Sequence, residues 1–291
     1  MEKYIDLHIH SLYSDGIYRP LDIVAMAAQK GLKAVALADH DSVSGIDEAF
    51  AAGEEYGLEI IPAVEFSTSY KEFRDVHLLG YMIDYNDVEL KGKLEAFRNH
   101  RDNRARAIVA KVNVRLNVEN KREISYEDVV AIGQHAVSRL HIARLLVDNG
   151  SARSVREAFK RYLLPFDVPK QYFPMEEALA EIKRLNGIAV LAHPQSISND
   201  RRILKSLVKE LAQLGLDGIE VFNNLCYSDD MIFFESLASD LGLLITGGSD
   251  FHGVEEDVEI GSGCGGLAVA YHWLQEMRRV ALERYGERKM L

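Results

Sequence analysis

The sequence predicts an α/β fold whose mostly parallel strands form a barrel with its chemistry on one rim. Three observations predict it. Short, nearly continuous apolar runs alternate with helical patterns, many helical patterns end on glycine, and histidines or carboxylates stand where the apolar runs stop. Near-continuous apolar runs mark strands buried on both faces. Strand–helix alternation with short links requires parallel strands joined by right-handed crossovers.

Seven strands are predicted in order: Tyr4–His10, Ala34–Ala38, Glu59–Phe66, Val76–Ile83, Ile188–Ala192, Gly218–Phe222 and Leu243–Gly247. Pro20 opens a helix over Leu21–Lys30 and Gly31 closes it, the proline-first, glycine-last asymmetry of helices. Asp41-Ser42 starts the next helix, Val43–Tyr56, which Gly57 ends. Met175–Asn186, Ile203–Leu214 and Asp229–Leu241 stop at Gly187, Gly215 and Gly242. The link from Glu65 to His77 is too short for a crossover helix, so it reads as a hairpin. An antiparallel strand begins on the rim where its parallel neighbours finish, which explains a histidine at the start of that strand. Such a C-terminal rim is where barrel enzymes keep their chemistry. Residues 94–163 break the alternation. Leu94, Phe97, Ile108, Val112 and Leu116 recur at helical spacing and a further helix follows Ser138, so this stretch reads as a helical insertion. Residues 1–93 and 164–291 then form the barrel.

With 291 residues and 47% hydrophobic content, the chain suffices for one large domain or a domain with an insertion. Glu2, Lys3 and Asp6 interrupt the start, and no apolar run is long enough to span a bilayer. Cys226 and Cys264 share no metal or redox spacing. A soluble cytoplasmic protein is expected. The net charge of −11 argues against a chain that coats duplex nucleic acid. Between Arg98 and Arg161, however, lysine and arginine outnumber aspartate and glutamate by 14 to 7. A basic segment on an acidic body suits a phosphate-bearing ligand; a solvated helical surface is the plainer alternative.

His8 and His10 lie two apart on one strand, so their side chains share a face. Ser14-Asp15-Gly16 follows at once. Asp39-His40-Asp41, Glu65, His77, Ala192-His193-Pro194 and Gly248-Ser249-Asp250-Phe251-His252 each border another strand. Scattered segments have no local reason to carry imidazoles and carboxylates at matching ends, but convergence on metal ions supplies one. His100, His135 and His272 fall outside these motifs and read as surface residues. Glu220 and Asn223 end the sixth strand, either supporting the ligands or simply polar at the rim. Trp273 and the tyrosines form no stacking series.

These motifs resemble the PHP (polymerase and histidinol phosphatase) superfamily, and within it the stand-alone phosphoesterases of the tryptophan-operon-linked kind. The resemblance implies a distorted (β/α)7 barrel and three divalent metals. The first would use His8, His10, Glu65 and Asp250. Glu65 would bridge to a second, held by His77 and His193. The third would use Asp15, His40 and His252. A carboxylate at Asp15, where some relatives have histidine, favours harder ions, so manganese ranks ahead of zinc and iron. Water activated between metals would attack a phosphate ester, with Glu65, Asp250 and His252 at the catalytic centre and the general acid unassigned. Ser138, Arg139 and His141 resemble the family's phosphate contacts at a helix start, where a capped N-terminus offers N–H groups to an anion. Arg101, Arg104, Lys160 and Arg161 read as solvated faces.

The substrate class implied is a small phosphorylated molecule, first a nucleoside 3′,5′-bisphosphate or short oligonucleotide end. The alternatives are histidinol phosphate, a cyclic phosphate diester, or a non-catalytic nucleotide-binding module. The chain departs from the family at Leu164-Pro165-Phe166-Asp167-Val168-Pro169, where relatives have a glycine-containing stretch, and at Gln195-Ser196, where they often have Gly-Arg.

Overall fold

The computed structural model describes residues 3–133, 136–254, 258–263 and 266–286. Seven strands form the wall: β1 (Tyr4–Ile9), β2 (Ala34–Leu37), β3 (Glu59–Tyr70), β4 (Phe73–Tyr81), β6 (Ile188–Leu191), β7 (Gly218–Phe222) and β8 (Leu244–Gly247). They hydrogen-bond in the order β8-β7-β6-β4-β3-β2-β1. The ring closes just past β8, where Asp250 N–H donates to the His8 carbonyl at 2.8 Å and His10 N–H to that of Phe251 at 3.0 Å. Two short strands are additional: β5 (Phe173–Pro174) on β3 and β9 (Val269–Ala270) antiparallel to β1. Only β4 runs against its barrel neighbours, as a crossover too short for a helix requires.

Side chains from six strands, including Ile5, Leu7, Ala36, Ala63, Leu79, Tyr81, Val190 and Leu244, meet in one apolar cluster, joined by Leu274 and Met277 of α10 (Tyr271–Tyr285). Ile9 instead packs outward with Ile23 and Val24 of α1 (Pro20–Gln29) and with Ala49 of α2 (Ile46–Tyr56). The irregular pairing of β1 with β2 between Asp6 and Ile9 explains the exchange of faces. A bulge there turns the strand, so that His8 and His10 take over the inner side.

Several boundaries differ from the sequence reading, and two of them bear on the rim. Helix α2 starts at Ile46 rather than Val43. Asp41 does not cap it, because its backbone adopts φ +50° and its carboxylate accepts the Ser67 N–H at 2.8 Å. Strand β4 begins at Phe73, so His77 lies inside the strand, opposite Ser67 of β3. The β3–β4 hairpin continues past the barrel wall, a polar extension that no apolar run reveals. Glu65 and Ser67 point the same way along β3, so His77 shares their face.

After β4 come α3 (Val88–Val118), α4 (Tyr126–Gly133), α5 (Arg139–Asp148) and α6 (Val155–Ala158), the last continuing into a π-turn over Phe159–Leu163. Helix α3 begins six residues before position 94, capped by Asp87, whose carboxylate accepts the Leu90 N–H at 2.8 Å. From Ala105 to Leu163 these elements bury a separate apolar cluster that includes Ile108, Val112, Ile142 and Tyr162. The chain returns through α7 (Met175–Arg184), α8 (Arg201–Leu214) and α9 (Ser228–Leu241). Among the described residues no helix is long and apolar enough to cross a membrane.

Candidate metal centre

The nine residues expected to hold metal arrive at one place, with Glu65 at the middle. Glu65 is fully buried near the middle of β3. Its Oε1 lies 3.1 Å from His77 Nδ1, 3.1 Å from His193 Nε2 and 3.4 Å from His8 Nε2. Its Oε2 lies 2.8 Å from His40 Nδ1 and 3.4 Å from His10 Nε2. Asp250 Oδ1 stands 3.0 Å from His10 Nε2 and 3.4 Å from His8 Nε2. Asp15 reaches His252 Nε2 at 3.3 Å and His40 Nε2 at 3.7 Å. Three overlapping sets have the spacing of ion ligands: His8–His10–Glu65, His40–Glu65–His77, and His10–Asp15–His40–His252.

Backbone shape delivers these side chains. His193 and Asp250 adopt φ +24° and +53°, sparsely populated for residues with a Cβ and characteristic of sites where function imposes the conformation. Gly248 and Gly16 are required by close approach. A Cβ on Gly248 would stand 2.3 Å from His8 N, and one on Gly16 2.4 Å from the His10 carbonyl oxygen.

The electrostatics call for cations. His8 and His10 present Nε2 to Nε2 at 3.1 Å. Burial, with His252 and His40 beside it, presses the His10 imidazole down to about 4. Burial also works against charge on His8, yet the carboxylates of Glu220, Glu65 and Asp250 hold it well above the ordinary histidine value. The same balance lifts His77 to about 9, through Glu65 and Asp75 against burial, and His252 to about 10, chiefly through Asp15. Glu65 stays well below the usual carboxylate range despite burial, through His40, His77 and His8. Asp15 Oδ1, His40 Nδ1, Glu65 Oε2 and His77 Nε2 are buried and make no hydrogen bond. Buried polar atoms left this way mark a missing partner. Imidazole nitrogen and carboxylate oxygen in this number fit zinc, manganese or iron.

Glu220 is the residue the sequence left undecided, and it is fully buried behind the cluster. His8 Nδ1 lies 2.9 Å from its Oε1, and the His193 N–H donates to its Oε2 at 2.7 Å. A carboxylate behind an imidazole fixes the tautomer and aims the other nitrogen at the metal. Ser196 steadies the His193 ring, with Oγ 2.9 Å from Nδ1. Asp39 gathers the Ser11 N–H and the Ser11 and Ser14 hydroxyls at 2.5–2.7 Å and so shapes the loop that carries Asp15.

Next to the cluster opens a cavity of about 430 Å³. Asp15 and His40 line it on one side; Arg101, Arg104, Ser138, Arg139 and Lys170 line it on others. Arg101 and Arg104 are therefore cavity residues, contrary to the solvated faces expected of them. Both are mostly enclosed, Arg101 by Asp41 at 2.7 Å and Arg104 by Asp167 at 2.7 Å. Arg161 instead pairs with Glu119, and Lys160 is exposed. Ser138 caps α5, and the buried His141 turns its Nδ1 back to the Ser138 N–H at 3.1 Å rather than lining the cavity. His100, exposed, stands at the cavity, whereas exposed His272 lies tilted against the Trp273 ring. Asn223 is buried, its amide near Cys226; His135 and Cys264 lie outside the described residues.

The PHP domain model matches residues 6–214. A 5′-3′ exoribonuclease of Haemophilus influenzae is 32% identical over 255 residues, which is 87% of this chain and 91% of that relative. A 3′,5′-nucleoside bisphosphate phosphatase of Chromobacterium violaceum is 34% identical over 85% of this chain and 87% of its own. The crystal structure of a candidate metal-dependent phosphoesterase from Bifidobacterium adolescentis superposes with a TM-score of 0.82 at 28% identity, over 97% of this chain and 96% of that one. Its imidazole–carboxylate rim, its barrel and these matches together make the chain a member of the PHP domain family and a metal-dependent phosphoesterase.

Proposed function

We propose that the substrate is a nucleotide with a second phosphate, either a nucleoside 3′,5′-bisphosphate or the end of a short oligonucleotide. The observation that carries this reading is the cavity beside the cluster, where four arginine and lysine side chains face a space of nucleotide dimensions. The activities named for the Chromobacterium and Haemophilus relatives agree with it. The first metal would sit among His8, His10, Glu65 and Asp250, the second among Glu65, His77 and His193, and the third among Asp15, His40 and His252. Manganese suits the third position, where Asp15 supplies a carboxylate, with zinc and iron as the other competent ions. Bound ions supply the Lewis-acid charge and the lowered water pKa that phosphate-ester hydrolysis requires.

The protein's own residues do the rest. Glu65, Asp250 and His252 hold the reacting phosphate's surroundings rigid. Arg139 and the N-terminus of α5 at Ser138 receive the distal phosphate, and His141 braces that N-terminus from behind. Residues 94–163 act as an insertion domain on a barrel of residues 1–93 and 164–291, supported by their separate apolar cluster. Free, buried Cys226 and the absence of a membrane-length helix among the described residues accord with the cytoplasm.

The test is product release after loading with Mn, Zn or Fe. Adenosine 3′,5′-bisphosphate and a short oligonucleotide are expected to turn over well ahead of histidinol phosphate and a cyclic diester. The reverse ranking refutes the substrate assignment, and stoichiometric metal with no turnover of any of the four would leave a binding module.

A further inference from the structure

Each lysine or arginine lining the cavity already has a carboxylate. Arg101 is on Asp41, Lys170 on Asp75, and Arg104 and Arg139 share Asp167. The last pairing differs in joining two guanidinium groups to one carboxylate, whereas Asp75, also part-exposed, holds Lys170 alone among the cavity cations. Asp41 is buried and also accepts the Ser67 N–H, so it is anchored. Asp167 is 40% exposed on the irregular strap that follows the π-turn. Its Oδ1 lies 2.7 Å from Arg104 and also accepts the Val168 N–H at 2.9 Å, a bond within the strap itself, and its Oδ2 lies 3.1 Å from Arg139. A carboxylate with one oxygen on each of two guanidinium groups is placed as a phosphate would be in the same fork. The strap has other tethers. Arg104 Nε donates to the Val168 carbonyl at 2.6 Å, and Lys111 Nζ to the Asp167 carbonyl at 3.1 Å.

We propose that Asp167 is a specificity-determining residue, an internal anion that occupies the Arg104–Arg139 fork until a ligand phosphate displaces it. This rests on the substrate reading above. A phosphate group brings close to two charges and three strong acceptor oxygens, so it outcompetes a tethered carboxylate with one charge. A ligand hydroxyl or single carboxylate gains nothing by the exchange. Once displaced, Asp167 turns to water at little cost, because it is already part-exposed. Asp167 thereby reserves the fork for a second phosphate while holding the affinity for the bisphosphate below what two free arginines would give.

Asp167→Asn removes the charge and keeps the shape; Asp167→Ser is the second variant. Kinetics of the metal-loaded enzyme on adenosine 3′,5′-bisphosphate and adenosine 3′-monophosphate are compared with calorimetric binding of adenosine 5′-monophosphate to metal-free protein. The KM for the bisphosphate should fall roughly three- to tenfold relative to that for the monophosphate, as two part-exposed ion pairs allow. Adenosine 5′-monophosphate should bind tighter by a similar factor. A raised KM for the bisphosphate, or equal changes for both substrates, overturns the proposal and makes Asp167 a support for the arginines. If the wild type turns over neither compound, the substrate reading fails instead, and the binding of adenosine 5′-monophosphate still decides for or against the fork.

Discussion

Replacing Glu220 by alanine removes the acceptor of two enclosed groups at once. His8 Nδ1 loses a partner at 2.9 Å and the His193 N–H one at 2.7 Å, with Glu220 and His8 fully buried. A buried donor without a partner costs about 1–3 kcal/mol, so the pair predicts about 2–6 kcal/mol of lost stability. Glu220→Gln keeps one acceptor oxygen but turns an amide N–H₂ toward the other donor, so its loss should fall at the lower end. Both variants also free the His8 ring to change tautomer, and loss of such a partner weakens metal binding about 10- to 100-fold. The assay is metal retained after dialysis against a graded chelator, beside chemical unfolding of the metal-free protein. Metal-free unfolding separates the two effects, because the hydrogen bonds are present without ions. If Glu220→Gln retained metal at wild-type chelator concentrations and Glu220→Ala unfolded at the wild-type midpoint, the argument that this carboxylate organises the rim would be refuted.

Gly248→Ala places a Cβ 2.3 Å from His8 N, against backbone, so the loop must shift. Loss of metal binding with at least about 1–3 kcal/mol of stability is expected, checked by metal analysis and melting. Arg101→Ala strips the buried Asp41 carboxylate of its partner at 2.7 Å and should cost about 3 kcal/mol, read by urea unfolding, with Arg101→Lys intermediate. Glu119 is held down to about 2 despite burial, by the Tyr162 hydroxyl and by Arg161, Arg115 and Lys121. A depressed carboxylate stabilises above its unfolded pKa and loses this as pH falls through the folded one. The stability advantage of wild type over Glu119→Gln should therefore be full at pH 6 and shrink from near pH 4.5 toward pH 2. Burial pushes the Cys226 thiol up to about 12, so disulfide reagents should modify it only on unfolding.

The sequence made the strands and most of the rim residues readable because these residues lie close in the chain to a strand. His10 and His193 directly follow apolar runs, His40 and Asp250 come within three residues of theirs, and a short hairpin is enough to bring His77 to the same rim. Glu220 also ends a run, yet its task is set by where β7 lies. It faces His8 across 212 positions and the His193 backbone across 27, and no local pattern encodes either meeting. The basic insertion shows the same limit from the other side. Its charge excess is legible in the sequence, but a count of charges is not a field at a point. Arg115 and Arg161 are held by Glu119, and Arg106 lies over the Tyr126 ring 3.6 Å from its centroid. Arg101 and Arg104 reach the cavity because α3 exposes one stripe toward the barrel, and a helix polar on most sides gives no periodic sign of which stripe that is. Arg101 is held by Asp41, and Arg104 is held from further away still, by an aspartate 63 residues beyond it. Charge in this fold is thus assigned to function by which carboxylates are anchored and which can be displaced, a distinction carried by burial and tethering rather than by composition.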